Sequence, residues 1–297
     1  MCPPGGAAEE AVLPVEEEWG VAGLRWAQVA RYRRALLESY RVRTKGGALR
    51  FVRALGFCYA FTAGPGDLPG LFDVLDTRSV DRMWTWAWRW KDELVRQRKL
   101  FYGRLLARKP TFVSPIYLPC FFVLTGNVGE PDDYLQAYRE GRLPRLGKEI
   151  YEYLRDHGRC STWTLRRQFV PGGDRSGAFH RALHDLQERC LIAKVAEEER
   201  GSYAYIWDTF DRWLPEVVRA AAGITTLEAA TVLLERYVQT LGAVSVDTAA
   251  GLFRWPPALF AAARRALAGR VVEAEIAGET VFVHPQLLAT QGGKRPR

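Results

Sequence analysis

His157-Gly158-Arg159-Cys160-Ser161-Thr162-Trp163-Thr164-Leu165-Arg166-Arg167-Gln168-Phe169 can be laid without a gap on Leu241-Gly242-Ala243-Val244-Ser245-Val246-Asp247-Thr248-Ala249-Ala250-Gly251-Leu252-Phe253. Gly, Ser, Thr and Phe coincide at one constant offset of 84 residues. In each copy a helix ends at the Gly, a polar residue stands ready to cap the next helix, and that helix closes on an aromatic residue.

The surroundings of the matched stretch repeat too. Amphipathic helices are expected before it, over Leu146 to Asp156 and Leu227 to Thr240, with apolar residues at three- and four-residue spacing. A further helix is expected after it, over Ala178 to Arg189 and Pro257 to Leu267. Two short β-prone runs then follow in each copy: Leu191 to Ala196 with Tyr203 to Trp207, and Val271 to Ile276 with Thr280 to Val283. Helix, helix, helix, hairpin is the order of a winged helix-turn-helix, in which a tight Gly turn sets a recognition helix across its predecessor and the hairpin forms the wing.

The first third reads the same way. Helices are expected over Trp26 to Tyr40, Ala48 to Phe61 and Val80 to Arg96, with wing strands over Leu100 to Ala107 and Pro110 to Ser114. The sequence therefore predicts an α+β, helix-rich chain of three tandem winged helix-turn-helix units. An acidic disordered tail over 1–23 precedes units at 24–125, 126–215 and 216–288, and a basic tail follows at 289–297.

Charge sets the first unit apart. The whole chain carries +8, whereas Arg25 to Lys109 holds nineteen Lys or Arg against seven Asp or Glu, a net +12. An Arg-rich composition accounts for Arg outnumbering Lys but not for this clustering. Local cationic excess is the footprint of a polyanion partner, because each neutralised phosphate releases condensed counterions. Arg31, Arg33, Arg34, Arg41, Arg43, Lys45, Arg50 and Arg53 surround the turn between the first two expected helices. The DNA-contacting residues assigned on this basis are Arg31, Arg34, Lys45, Arg50, Arg53, Arg78 and Arg82, with His180 and Arg181 from the second unit.

Other classes find no support. The longest apolar stretch, Val113 to Leu124, is too short to cross a bilayer and is interrupted by Pro115 and Pro119. Five scattered cysteines suggest neither a disulfide framework nor a zinc site, and the first twenty residues do not read as a secretory signal, so a cytoplasmic, nucleoid-associated protein is expected. No phosphate-binding Gly-rich loop or Gly-x-Ser-x-Gly elbow is present, and no cofactor is implied.

The chain resembles the AlkZ-type (YcaQ-like) DNA glycosylase family over roughly residues 25 to 288. The segments that carry the resemblance are His157-Gly158-Arg159 with Thr164 and Phe169, and Ala182-Leu183 with Leu186 leading to Leu191-Ile192-Ala193-Lys194-Val195. Tyr205-Ile206-Trp207-Asp208 with Asp211-Arg212-Trp213-Leu214-Pro215, and Val281-Phe282-Val283-His284, complete it. The resemblance implies tandem winged helices that act on duplex DNA, alkylated or crosslinked, by hydrolysing an N-glycosidic bond without metal or cofactor. It also implies a Gln-x-Gln or Gln-x-Asp tripeptide on the second helix of the first unit. The corresponding segment, Arg53-Ala54-Leu55-Gly56-Phe57-Cys58-Tyr59-Ala60-Phe61, puts Gly56 and Cys58 where those side chains belong. Gly56 offers no acceptor and a neutral thiol bonds water weakly, so the expectation is DNA binding with catalysis lost or altered. An active N-glycosylase and a winged-helix transcription regulator are the alternatives.

Two further features invite chemistry. His180 and His184 stand four apart on an expected helix, a spacing metal sites use, but Arg181 follows where a zinc-hydrolase pattern needs Glu, and no metal is assigned. Trp84, Trp86, Trp88 and Trp90 alternate with other residues; on a helix they form the pairs Trp84 with Trp88 and Trp86 with Trp90. Such pairs fill a core or make a stacking platform for an exposed base.

Overall fold

The computed structural model describes residues 23–172, 176–199 and 202–292; 1–22 and 293–297, most of the two tails read from the sequence, lie outside them. The fold is α+β and helix-rich, with three three-stranded antiparallel sheets. In each sheet the last strand in sequence lies between the other two.

The two copies of the repeat share the same order of elements. Helices Arg145–His157 and Thr226–Leu241 end at Gly158 and Gly242, whose φ of 76° and 75° suit glycine. The short strands Cys160–Ser161 and Ala243–Ser245 come next. Ser161 and Ser245 then cap helices Thr162–Phe169 and Val246–Phe253, each hydroxyl accepting from the backbone N–H three residues on. Helices Ser176–Glu188 and Pro257–Ala266 follow, then the hairpins Ile192–Glu199 with Tyr203–Thr209 and Val272–Ile276 with Glu279–Val283.

The first third departs from the expected plan. The helix expected over Ala48 to Phe61 is Lys45–Leu55, because Gly56 at φ 84° stops it and Phe57–Tyr59 continues as the first strand of a sheet. Cys58 pairs with Phe112 there, as Cys160 pairs with Trp207 and Val244 with Phe282 in the other sheets. Where the other units have a second helix, this one has two short 3-10 turns, Pro65–Asp67 and Leu71–Val74, before helix Val80–Arg96 and the hairpin Phe101–Leu106 with Lys109–Val113.

Helix Trp26–Glu38, expected to open the first unit, bridges two cores: Leu37 packs on the core around Phe51 and Leu75, and the start of the helix packs on the last sheet. Leu24 and Val29 join Val272, Ile276, Val281 and Val283 in one buried cluster. Arg33 donates to the carbonyls of Leu241 and Ala243, and the Tyr32 hydroxyl to that of Gln239. The apolar residues of this helix are divided between two partners, the second of which sequence order does not reveal. The apolar stretch interrupted by Pro115 and Pro119 forms a buried helix, Leu118–Leu124, whose Phe121 and Phe122 enter a core shared with Leu233, Leu234 and Tyr237 of helix Thr226–Leu241. Among the described residues no single helix is long and apolar enough to cross a membrane.

A Cβ on Gly242 would stand 2.7 Å from the Tyr32 ring, at a positive φ, whereas Gly251 is helical with nothing within 4 Å. Gly242→Ala should therefore lower the unfolding free energy by about 1–3 kcal/mol, and Gly251→Ala should raise it by about 0.5–1 kcal/mol. Urea denaturation followed by circular dichroism measures both.

Candidate functional site

Lys194 lies inside the apolar strand run Leu191 to Val195, buried away from bulk solvent. Its partner arrives from the first third of the chain: Nζ donates to Asp92 at 2.7 Å and to Glu197 at 2.8 Å. Lys91, also fully buried, donates to the same Asp92 oxygen at 2.5 Å and to the Tyr203 hydroxyl at 2.7 Å. The Tyr203 hydroxyl lies within 2.8 and 2.9 Å of the two Asp92 oxygens and can donate to that carboxylate. Arg96 completes the group by pairing with Glu197 at 2.7 Å.

The Lys91 ammonium is caged by rings as well: Trp88 at 4.3 Å, Tyr205 at 4.8 Å, and Tyr102 and Tyr203 both at 5.2 Å from their centroids. Burial, then the neighbouring Lys194 charge, pulls its pKa down to about 8, against the pull of Asp92. Burial by itself would raise the Asp92 carboxyl, but the two ammonium groups together hold it below the usual carboxylate range. The tyrosine hydroxyls of Tyr203 and Tyr205 are pushed well up by burial and stay neutral.

Above this floor opens a cavity of about 390 Å³ between helix Val80–Arg96 and the second unit. Trp88, Tyr203, Tyr205, Trp207 and Trp163 supply aromatic walls. Trp88 and Tyr203 stack at 5.6 Å with 27° between their planes. Helix Ser176–Glu188 presents His180, Leu183, His184 and Gln187 to the cavity, a stripe at helical spacing. Burial, with the nearby Arg104 and His180, pulls the His184 pKa down to about 4, so its imidazole is neutral at physiological pH. Arg104 and Arg166 also line the cavity.

The tryptophan run is divided between core and cavity. Trp86 and Trp90 stack at 5.2 Å, with Trp90 buried, while Trp84 packs on Phe61 and Phe72 and Trp88 faces the cavity. His180 and His184 share the cavity, but no group of three His, Cys, Asp or Glu able to hold a metal occurs among the described residues.

Gly56 and Cys58 lie elsewhere. Gly56 is a helix end rather than a position within a helix, and a Cβ there would stand 2.7 Å from the Tyr117 ring. Cys58 points into the core beside Phe51, Val52 and Phe112, and burial pushes its thiol far above the ordinary range. Neither position presents a polar group to solvent.

The cationic residues divide into two kinds. Arg33 pairs with Asp67, Arg43 with Asp76, and Lys45 with Glu93 at 2.5 Å, so the Lys45 charge is engaged within the fold. Arg82 lies over the Trp86 ring at 5.9 Å. Arg31, Arg34, Arg50, Arg53, Arg78 and Arg181 are exposed and form no ion pair among the described residues. Arg50 and Arg53 share helix Lys45–Leu55, Arg31 and Arg34 share Trp26–Glu38, and His180 and Arg181 share Ser176–Glu188, where only His180 of the two lines the cavity. Arg34 and Arg41 line a groove that also holds Asp73 and Asp76, so that part of the surface is of mixed charge.

The sequence reading missed the buried network, Arg104 and Gln187. A signal was present: a lysine inside an apolar β-run demands a buried carboxylate, and Asp92 follows directly on Lys91 at the end of the tryptophan run.

The Lys91 pKa is depressed in the folded state, from 10.5 to about 8, so the unfolded chain binds the extra proton between those values. Unfolding free energy should rise with pH from about 8 toward 10.5, by up to about 1 kcal/mol per pH unit, and fall back on the acid side. Lys91→Met, which retains the apolar stem, should lack that rise; denaturation series at stepped pH on both proteins check it.

A search of curated protein sequences finds no significant match. The fold is similar to that of Streptomyces sahachiroi DNA glycosylase AlkZ, with a TM-score of 0.56 and 17% identity, covering 92% of this chain and 73% of that one. The model of the AlkZ-related family matches residues 42–253, well over half of the sequence, and the chain belongs to that family.

Proposed function

We propose that this protein binds duplex DNA through three tandem winged-helix units, spanning 24–125, 126–215 and 216–288, and leaves the N-glycosidic bond intact. The observation that carries the second half is the state of Gly56 and Cys58. A water-positioning pair needs two exposed hydrogen-bonding side chains beside the sugar, and these positions offer a hydrogen atom and a core thiol. Membership of the AlkZ-related family and likeness to a protein named as a DNA glycosylase support DNA as the partner.

The helix, strand, helix, helix, hairpin order of the last two units supports the winged-helix reading, with Ser176–Glu188 and Pro257–Ala266 in the recognition position. The unpaired Arg31, Arg34, Arg50, Arg53, Arg78 and Arg181 are the phosphate contacts, and Arg82 and His180 flank them. Lys45 contributes less than its position in the sequence suggests, because its ammonium is held by Glu93, a carboxylate it shares with Arg89. Contacts of this kind hold the backbone and read shape rather than base sequence. The lesion class, alkylated or crosslinked DNA, follows from the family alone.

Arg50→Ala with Arg53→Ala should weaken duplex binding and reduce the slope of log K against log salt by about 2, one unit for each lost phosphate contact. Fluorescence anisotropy across a salt series measures it, and unchanged affinity removes this helix from the interface. DNA carrying N7-alkylguanine should show no alkali-labile breaks after incubation. Breaks absent from a heat-killed control would establish an active N-glycosylase, and a symmetric sequence-specific footprint would establish a transcription regulator.

A further inference from the structure

Gln187 is only 2% exposed, yet its side-chain amide forms no hydrogen bond to any described residue. Its polar atoms are not sealed in the core, where the buried side-chain atoms without a partner among the described residues are Ser114 Oγ and Arg189 Nε; the Gln187 amide opens onto the cavity and is free to bond a ligand there. The amide lines the aromatic cavity, one helical turn beyond Leu183 and beside the neutral imidazole of His184, which has no hydrogen bond of its own among the described residues.

We infer that this cavity is a binding site for a nucleobase carrying a 5′-phosphate, stacked against Trp88 and read along its edge by Gln187 and His184. Three observations converge on that ligand class. The walls are aromatic, which suits a planar ring system of any sequence. The two unbonded groups on the cavity wall, Gln187 and His184, are neutral, and each can both donate and accept, which matches the mixed edge of a heterocycle and not an ion; a glutamine amide engages adenine through two bonds at once. Arg104 and Arg166 supply the positive charge a phosphate requires. A volume of about 390 Å³ falls within the range of small-ligand sites, roughly 300–1,000 Å³.

The floor makes the site rigid. Lys91 fastens Trp88 to Tyr203 and Tyr205 through its own ring contacts, so the stacking surface is formed before any ligand arrives. The base comes either from DNA, as an unstacked nucleotide, or from a free nucleotide; only the first source rests on the duplex binding proposed above.

2-Aminopurine distinguishes these sources, because its fluorescence falls on stacking against an aromatic ring. One arm titrates the full-length protein into 2-aminopurine deoxyriboside monophosphate, and the other into a duplex with 2-aminopurine as a single-nucleotide bulge. Saturable quenching is expected in at least one arm, and the arm that responds identifies the source. Gln187→Leu, which preserves volume, should weaken it roughly tenfold, the loss of one paired base-edge contact. Trp88→Ala, at a residue 40% exposed, should abolish the quenching with the thermal melt still cooperative. No saturable change in either arm up to about 1 mM protein or ligand overturns the site. Quenching that survives both substitutions overturns it equally. Binding to an unmodified, fully paired duplex should be unchanged in Gln187→Leu, so failure of duplex binding in the parent protein and failure of this cavity are separate results.

Discussion

Two buried ammonium groups share one carboxylate, and the relation between the first and second units depends on it. Lys91 and Asp92 come from helix Val80–Arg96, Lys194 and Glu197 from the second hairpin, and Tyr203 from its return strand. Desolvating such charges is expensive, and removal of one partner from a buried pair typically costs about 3–5 kcal/mol because the other is left uncompensated. The cost is offset here by hydrogen bonds to each ion and by four rings around Lys91. Apolar packing would hold two units together in many orientations; a shared carboxylate with short bonds from both sides permits few.

The aromatic cavity is a consequence of that join. Helix Val80–Arg96 must present Lys91 inward, which turns Trp90 to the core and Trp88 to the rim, one turn before it. The opposite wall comes from helix Ser176–Glu188, whose Phe179, Ala182, Leu183 and Leu186 are held in the core of the second unit. Its remaining stripe, His180, His184 and Gln187, has nowhere to face but the gap. Hydrogen-bonding groups therefore line a pocket formed by two independently packed cores.

The third unit is tied in by different means. Leu118–Leu124 lies against Thr226–Leu241, with Phe122 stacked on Phe210 at 5.4 Å, and helix Trp26–Glu38 crosses back to cover the last sheet. The first sheet sits between these contacts with Phe57 in the shared core and Cys58 in the unit's own. Alternation along a strand puts neighbouring residues on opposite faces, and both faces of this one are buried. A polar, water-binding residue at Cys58 would have no solvent to meet, because both faces of its strand are packed.

Local sequence was sufficient wherever structure depends on near neighbours. Gly158 and Gly242, Ser161 and Ser245, and the hairpins after them followed from an offset of 84 residues, because helix caps and tight turns are set within a few residues. The Trp86–Trp90 stack likewise follows from helical spacing, whereas Trp84 and Trp88, four apart on the same helix, each pack against Phe61. The destination of helix Trp26–Glu38 did not, since an apolar stripe does not specify which of several apolar surfaces will cover it. Nor did the state of Lys45, Asp92 or Gln187: each depends on a residue or a gap brought close by folding, Glu93 for the first, Lys194 for the second, the inter-unit cavity for the third. Charge counted along the chain measures supply, whereas the charge left for a partner is what remains after internal pairing, and only tertiary structure decides that.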